Sequence, residues 1–222
     1  MRHPHLSGDA RVSLTAKPRK ERKENAERRR RQLLDAARRS ILRYGLARTT
    51  LATVAEEAGL SQGVAVFYFN SKGGLLIETL RDLYQGYERH WMTALEGAGA
   101  DPVAQLEAVI RADFEPEACG PETRPLWFAF WGELHFQAQY DAVAEDFDLR
   151  RHEALVAIWR ALLPEDEQHE ADQFAEWTET LTDGYWQRLH LMPAHAERKA
   201  ARDATLRALA RLRPDILASL AG

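Results

Sequence analysis

The sequence predicts an all-α chain, with a three-helix head followed by a larger helical bundle. Three observations carry this. Apolar residues recur at i, i+3, i+4 spacing along most of the chain, no run alternates apolar and polar residues between turn signals, and Gly/Pro clusters separate the helical stretches. No repeat of fixed period interrupts the pattern. With 45% apolar residues among 222, the chain can bury a core of domain size.

Residues 1–24 are polar, aperiodic and rich in Arg and Lys, and are expected to form a basic disordered arm. From about Asn25 a helical stripe appears, made of Leu33, Ala36, Ala37, Ser40, Ile41 and Tyr44, with Gly45 as its expected C-cap. Arg28 to Arg31 fall in the first turns of that helix, where the dipole disfavours cations, so an approaching phosphate is the expected reason for them. Thr50 is placed as the N-cap of a second, two-turn helix with Leu51, Val54, Ala55 and Ala58 on its apolar stripe. Gly59 allows the left-handed turn, Leu60 plugs the core, and Ser61 is the expected cap of a third helix running to about Tyr68. Two short helices joined by a tight Gly-containing turn form a helix-turn-helix pattern. After Asn70–Gly74 a long helix is expected over 75–95, followed by helices near 103–115, 125–139, 141–163, 167–191 and 195–212. The expected organisation is therefore an arm over 1–24, a head over 25–73 and a bundle over 74–222.

Charge divides the chain in the same way. Residues 1–48 carry 15 Lys+Arg against 5 Asp+Glu, whereas residues 49–222 carry 15 against 29, so a net charge of -4 hides a strongly basic end suited to an anionic partner. All six tryptophans lie beyond residue 90. No apolar run has the length of a membrane span and the N-terminus has no apolar signal region, so a cytoplasmic protein without a membrane partner is expected. The single cysteine, Cys119, excludes an internal disulfide or a Cys-cluster metal site.

The third helix carries the chemistry of the head. Gln62 presents a donor and an acceptor suited to an adenine edge, Gly63 and Val64 are small enough for close approach to a base, and Tyr68 and Lys72 can reach phosphates. Phe67, Tyr68 and Phe69 cannot all face one core, because neighbours on a helix stand 100° apart. Phe69 is assigned to the core, and Phe67 or Tyr68 to the DNA side.

Over Gln32–Leu76 the chain resembles the DNA-binding head of TetR-family transcriptional regulators. The matching residues are Ala36/Ala37, Gly45, Thr49-Thr50, Val54-Ala55, Ala58 to Ser61, Gly63, Tyr68-Phe69, Lys72 and Leu75-Leu76. The resemblance implies DNA contacts at Thr50, Gln62, Gly63, Val64, Phe67, Tyr68 and Lys72. It departs at Val66, where many members carry a tyrosine that meets phosphate, so Tyr68 is expected to take more of that role. Beyond the head, residues 125–140 and 181–191 are similar to the matching helices of the family's choline-responsive BetI branch. That similarity implies a dimer, formed through the helices near 167–191 and 195–212, that binds a palindromic double-stranded DNA operator and responds to a small-molecule effector.

Trp127, Phe130 and Trp131 share one stripe, and Trp177, Leu181 and Tyr185 another; these six are the candidate effector-binding residues, with Glu133, Glu179 or Asp183 as charge complement. Indole faces beside carboxylates suit a cation such as choline or another quaternary ammonium. A hydrophobic or other metabolite stays open, as does a ligand carrier that does not bind DNA. No cofactor or metal is expected. The eight histidines form no HExxH or paired Glu-x-x-His motif, Asp166 and His169 being a lone pair, and no nucleophile-elbow or P-loop pattern occurs, so no enzyme is expected.

Overall fold

The computed structural model describes residues 19–134, 138–194 and 196–221, and among them every regular element is a helix. The head comprises α1 (Arg19–Arg48), α2 (Leu51–Glu57) and α3 (Gln62–Phe69). The bundle comprises α4 (Lys72–Gly97), α5 (Pro102–Asp113), α6 (Pro116–Cys119), α7 (Arg124–Leu134), α8 (Ala138–Leu162), α9 (Ala171–Leu191), α10 (Arg198–Leu212) and α11 (Pro214–Leu217). Single 3-10 turns cover Glu165–Glu170 and Ala218–Ala221.

Helix α1 begins at Arg19, earlier than its apolar stripe suggests. Arg, Lys and Glu are good helix formers, and a turn solvated on every side leaves no stripe to read; Lys20 and Glu24 lie 4.0 Å apart across one such turn. Of the expected disordered arm, residues 19–24 are therefore helical, and 1–18 lie outside the described residues. Arg28 to Arg31 consequently sit in mid-helix, and the dipole argument for a phosphate there does not hold. Arg30 pairs with Glu78, and Arg31 with Asp35 and Asp82. At Gly45 (φ 76°) the helix kinks, and the fully buried Thr49 secures the kink by donating its hydroxyl to the Gly45 carbonyl at 2.9 Å. Tyr44, expected on the buried stripe, is left exposed beside that kink.

Thr50 caps α2 as expected. Its hydroxyl accepts from the Thr53 N–H, and the Thr53 hydroxyl accepts from the Thr50 N–H, a reciprocal box that closes the first turn. Gly59 stands at φ 64°, the left-handed conformation that stops α2. Ser61 occupies the N-cap position of α3 but makes no side-chain capping bond. Helix α4 starts at Lys72 rather than Leu75, because Ser71 caps it through the Gly74 N–H at 3.0 Å.

Two apolar cores result. Leu33, Leu34, Ala37, Val54, Ala65 and Phe69 close the head. Leu106, Ile110, Phe130, Leu155, Trp159 and Leu209 lie in the bundle core. Neighbouring residues of α4 serve both, Leu75 facing the head core and Leu76 the bundle core, while Ile41 carries α1 into the bundle. Asp82 of α4, 8% exposed, accepts from Arg31 and from Arg38 of α1, each at 2.7 Å. The head is thus fastened to α4 by a buried carboxylate shared between two guanidiniums.

On α10, Ala201, Thr205, Leu206, Leu209 and Ala210 are buried within the same chain, so these residues of an expected dimer helix are not free to meet a partner. Cys119 is buried in α6, and burial pushes its thiol up to about 11. A Cβ at Gly74 would lie 2.2 Å from the Phe69 carbonyl oxygen. Gly74→Ala is therefore expected to destabilise the protein by about 1–3 kcal/mol, read as a lowered midpoint in urea or heat denaturation.

Candidate DNA-reading surface and effector cavity

On α3 the folded head turns Ala65 and Phe69 inward and leaves Ser61, Gln62, Gly63, Val66 and Phe67 exposed. Phe67 is 81% exposed. Of the two alternatives for the outward aromatic, Phe67 is thus the one left in solvent, and Tyr68 packs partly against the head core. Val64 is also half-buried against that core, whereas Val66, given no role from its sequence, is 41% exposed. The 100° step between residues gives the reason, since Ala65 and Phe69 set the buried direction and Val66 falls off it. A Cβ at Gly63 would meet nothing nearer than the Ser61 hydroxyl at 3.9 Å, so the fold itself does not require glycine there. The half-buried Thr50 has its hydroxyl in the α2 cap, and Lys72 reaches back to donate to the Ala47 carbonyl at 2.5 Å, leaving two of its three donors for another acceptor. Gln32 donates to the Ala58 carbonyl at 2.7 Å and ties α1 to the turn between α2 and α3. The seven head residues singled out from sequence thus come together around α3. Those on the helix face outward or sideways, and Thr50 and Lys72 stand at its flanks with their side chains already engaged.

A cleft of about 640 Å³ opens in the bundle between α4, α7, α8 and α9. Its walls are helical periods made visible: Tyr84 and Tyr87 from α4, Trp127 and Trp131 from α7, Glu145, Asp148, Leu149, Arg151 and His152 from α8, and Glu179, Thr182, Asp183 and Trp186 from α9. The indoles of Trp127, Trp131 and Trp186 form a triangle with centroids 6.0–6.2 Å apart. Tyr84 meets Trp127 edge-on at 4.8 Å, and Tyr87 stands 5.7 Å from Trp127 and 5.8 Å from Trp186.

Of the six residues expected to bind an effector, Trp127 and Trp131 line this cleft, and Phe130 is fully buried behind them. Trp177, Leu181 and Tyr185 lie outside it. The buried face of α9 runs through Phe174, Thr178, Thr182 and Trp186, so the stripe of large apolar residues is turned away and the one bearing two threonines faces inward. Those hydroxyls are satisfied locally, each donating to the carbonyl four residues back. That masked the inward face in the sequence, and with it Trp186. Tyr84, Tyr87, Asp148 and Arg151 were likewise unmarked, since pairing across helices leaves no local spacing to read. Glu179 and Asp183 are in the cleft, whereas Glu133 is exposed outside it.

The cleft is acidic. Burial pushes the carboxyls of Asp148 and Asp183 up to about 6, and the nearby Glu179 adds repulsion to both. Both keep accessible surface facing the cleft, so they stay in contact with solvent while protein surrounds them. His152 has Glu179 at 2.9 Å and Asp172 at 3.1 Å on its two ring nitrogens, and these bonds, the one to Glu179 foremost, raise its pKa.

Beneath the rings lies a buried network. Asp113, fully buried at the end of α5, accepts from Arg151 at 2.5 Å and from the Tyr87 hydroxyl at 2.7 Å, and its carbonyl accepts from the Trp186 indole at 2.9 Å. Arg151 Nε also donates to the Tyr87 oxygen at 2.8 Å. Burial alone would lower the Arg151 pKa, but Asp113, the Tyr87 oxygen and Glu179 together outweigh it and keep the guanidinium charged.

Comparison with known proteins matches both parts. Residues 33–79 fit the N-terminal model of the tetR family of bacterial regulatory proteins, and residues 102–214 the C-terminal model of BetI-type transcriptional repressors. The HTH-type transcriptional regulator BetI of Paraburkholderia xenovorans is 36% identical over 177 residues, covering 78% of this chain and 87% of that protein. BetI of Agrobacterium fabrum is 34% identical over 166 residues, 75% of this chain and 79% of that protein. Among solved structures, a transcriptional regulator of Pseudomonas aeruginosa superposes with a TM-score of 0.74 at 22% identity, covering 85% of this chain and 91% of that one. A regulator of Saccharomonospora viridis, solved in complex with choline, gives 0.70 at 20% identity, with 81% and 94% covered. With a helix-turn-helix head and a BetI-type helical domain matched along most of its length, this chain belongs to the TetR family of bacterial transcriptional regulators.

Proposed function

We propose that this regulator represses transcription as a homodimer on a palindromic operator, reads bases through α3, and is released when choline or another quaternary ammonium enters the cleft of the bundle. The division into an N-terminal arm, a head to about residue 73 and an effector and dimerisation part beyond it is part of the same reading, as is action in the cytoplasm, where the operator is. The observation that carries the effector is the cage itself: three indoles and two phenols around a cleft that also holds Glu145, Asp148, Glu179 and Asp183. Aromatic faces attract a cation without a hydrogen bond, which is what an ammonium with no N–H requires, and the carboxylates supply long-range attraction. Leu149 is the only aliphatic side chain among the described lining residues, which disfavours a purely hydrophobic ligand.

For DNA, Gln62, Gly63 and Phe67 form the outward face, with Val64 at its edge, and Thr50, Tyr68 and Lys72 flank it. Dimerisation is assigned chiefly to the outer face of α9, where the exposed Trp177 and the half-buried Leu181 and Tyr185 stand beside Thr180 and Gly184. Two heads then read two half-sites, which one short helix alone reads weakly. Helix α4 supplies the link: it runs unbroken from Lys72 at the head to Tyr84 and Tyr87 in the cleft, and the Asp82 clamp makes α1 follow it. A hundredfold loss of operator affinity requires the effector to favour the released arrangement by about 2.8 kcal/mol.

In a fluorescence-anisotropy titration, Gln62→Ala is expected to relax base preference at defined positions of each half-site. Lys72→Ala is expected to weaken all sequences alike and to reduce the slope of log affinity against log salt by about 0.9 for each phosphate no longer neutralised. Gly63→Ala is expected to leave stability within about 0.5 kcal/mol while weakening operator binding, because only an approaching duplex meets the added methyl. Unaltered operator binding in all three would remove α3 as the reading element.

The pH dependence of effector binding follows from the cleft acids. Asp148 and Asp183 are charged above about 6 and take up protons below it. A bound cation favours their charged form, so binding releases protons near that pH, and protonated His152 opposes the cation in the same acid range. Choline affinity measured by calorimetry is expected to be highest above pH 7 and to fall several-fold by pH 5; a flat profile would exclude these carboxylates from cation binding.

A further inference from the structure

Arg151 has a feature that neither the ion pair nor the cage explains. Its guanidinium is planar, with Nε and Nη2 on one shared edge, and both are taken up: Nε by the Tyr87 oxygen at 2.8 Å, Nη2 by Asp113 at 2.5 Å. Nη1 is buried and has no hydrogen-bond partner in the protein, although Arg151 is only 7% exposed and forms part of the cleft wall. Buried donors are nearly always satisfied, so a guanidinium N–H left over beside a binding cleft points to an acceptor that arrives with the ligand. The location fits a short molecule. The Arg151 Cζ atom lies 5.6 Å from the centroid of Tyr87, itself a wall of the cage, so an oxygen two carbons from a caged ammonium comes within range of this corner.

Arg151 is a cation inside a site for cations, and that is compatible because Asp113 balances its charge at 2.5 Å. The acceptor is also constrained in charge. Glu145, Asp148, Glu179 and Asp183 line the same cleft, and a carboxylate on the ligand would be repelled by all four. An alcohol or carbonyl oxygen meets no such repulsion and still accepts a charge-assisted bond.

We infer that Arg151 is a ligand-selecting residue, donating through Nη1 to an uncharged oxygen, so that the cleft takes quaternary ammonium compounds bearing an alcohol or carbonyl group in preference to those with a plain alkyl chain. This rests on the cage reading above and adds a second recognition point to it. The discriminating pair is choline and n-propyltrimethylammonium, which differ only by a methyl in place of the hydroxyl.

Calorimetric titration of the full-length protein is expected to give choline a tenfold or greater advantage over n-propyltrimethylammonium, and glycine betaine, with its carboxylate, weaker binding than choline. Removing Arg151 alone would strand the Asp113 charge, so the test variant is the pair Asp113→Asn with Arg151→Met, which keeps an acceptor for the Tyr87 hydroxyl. In that variant the preference is expected to fall to within twofold, while n-propyltrimethylammonium binds within threefold of its wild-type affinity, showing that the cage survives. Arg151→Lys, which keeps a charge beside Asp113 but has a single nitrogen, is expected to lose the preference as well. Equal binding of the two cations by the wild type, or a preference kept by both variants, overturns the Arg151 assignment and leaves the cage intact. Binding of neither cation by the wild type overturns the cage reading and this inference with it.

Discussion

The buried ion pair between Asp113 and Arg151 is the constraint on which the bundle turns. It joins the end of α5 to the middle of α8 and through the Tyr87 hydroxyl also holds α4, while the backbone carbonyl of the same Asp113 holds the Trp186 indole of α9. Such a pair adds little net stability, because the cost of desolvating both ions offsets most of their attraction, yet losing one partner alone costs about 3–5 kcal/mol. Its contribution here is orientation. Two of the five rings of the cage take their positions from one aspartate that does not itself line the cleft.

A second constraint operates in the head, where small residues separate folding from recognition. Gly74 is required by the chain's own backbone, since the Phe69 carbonyl occupies the space of a side chain, and Gly59 by its left-handed turn. Gly63 is required by neither. The same helix buries Ala65 and Phe69 and exposes Phe67, so folding fixes one side of α3 and leaves the other to whatever it meets.

Between the two lies α4, with Leu75 in one core and Leu76 in the other. A helix shared by two cores cannot shift in one without disturbing the other, because packed interiors tolerate little rearrangement short of a discrete repacking. Asp82 strengthens this coupling, for a carboxylate held by two arginines of α1 resists rotation of one helix past the other. Acidic side chains from α8 and α9 give the cleft its sign, while basic residues concentrate in α1, so the two halves carry opposite charge.

The helical class, the turn at Gly59, the Thr50 cap, the outward Gln62 and Gly63, and the gathering of the tryptophans in the bundle were all legible in the order of residues alone. Each of these is a local fact, set by spacing within a turn or two or by one residue's conformational freedom, and the family resemblance of the head follows from the same short-range pattern. Whatever depends on distant partners was settled only by packing in three dimensions. Packing turned the Thr178–Trp186 face of α9 inward and left Trp177 out, and chose Phe67 over Tyr68 as the exposed ring. It also brought Asp113 to Arg151 across 38 residues of chain. Which side of a helix is buried follows from hydrophobic periodicity only when one stripe is plainly more apolar than the rest. In α9 both stripes carry large rings, and there the neighbouring helices, and not the order of residues, made the choice.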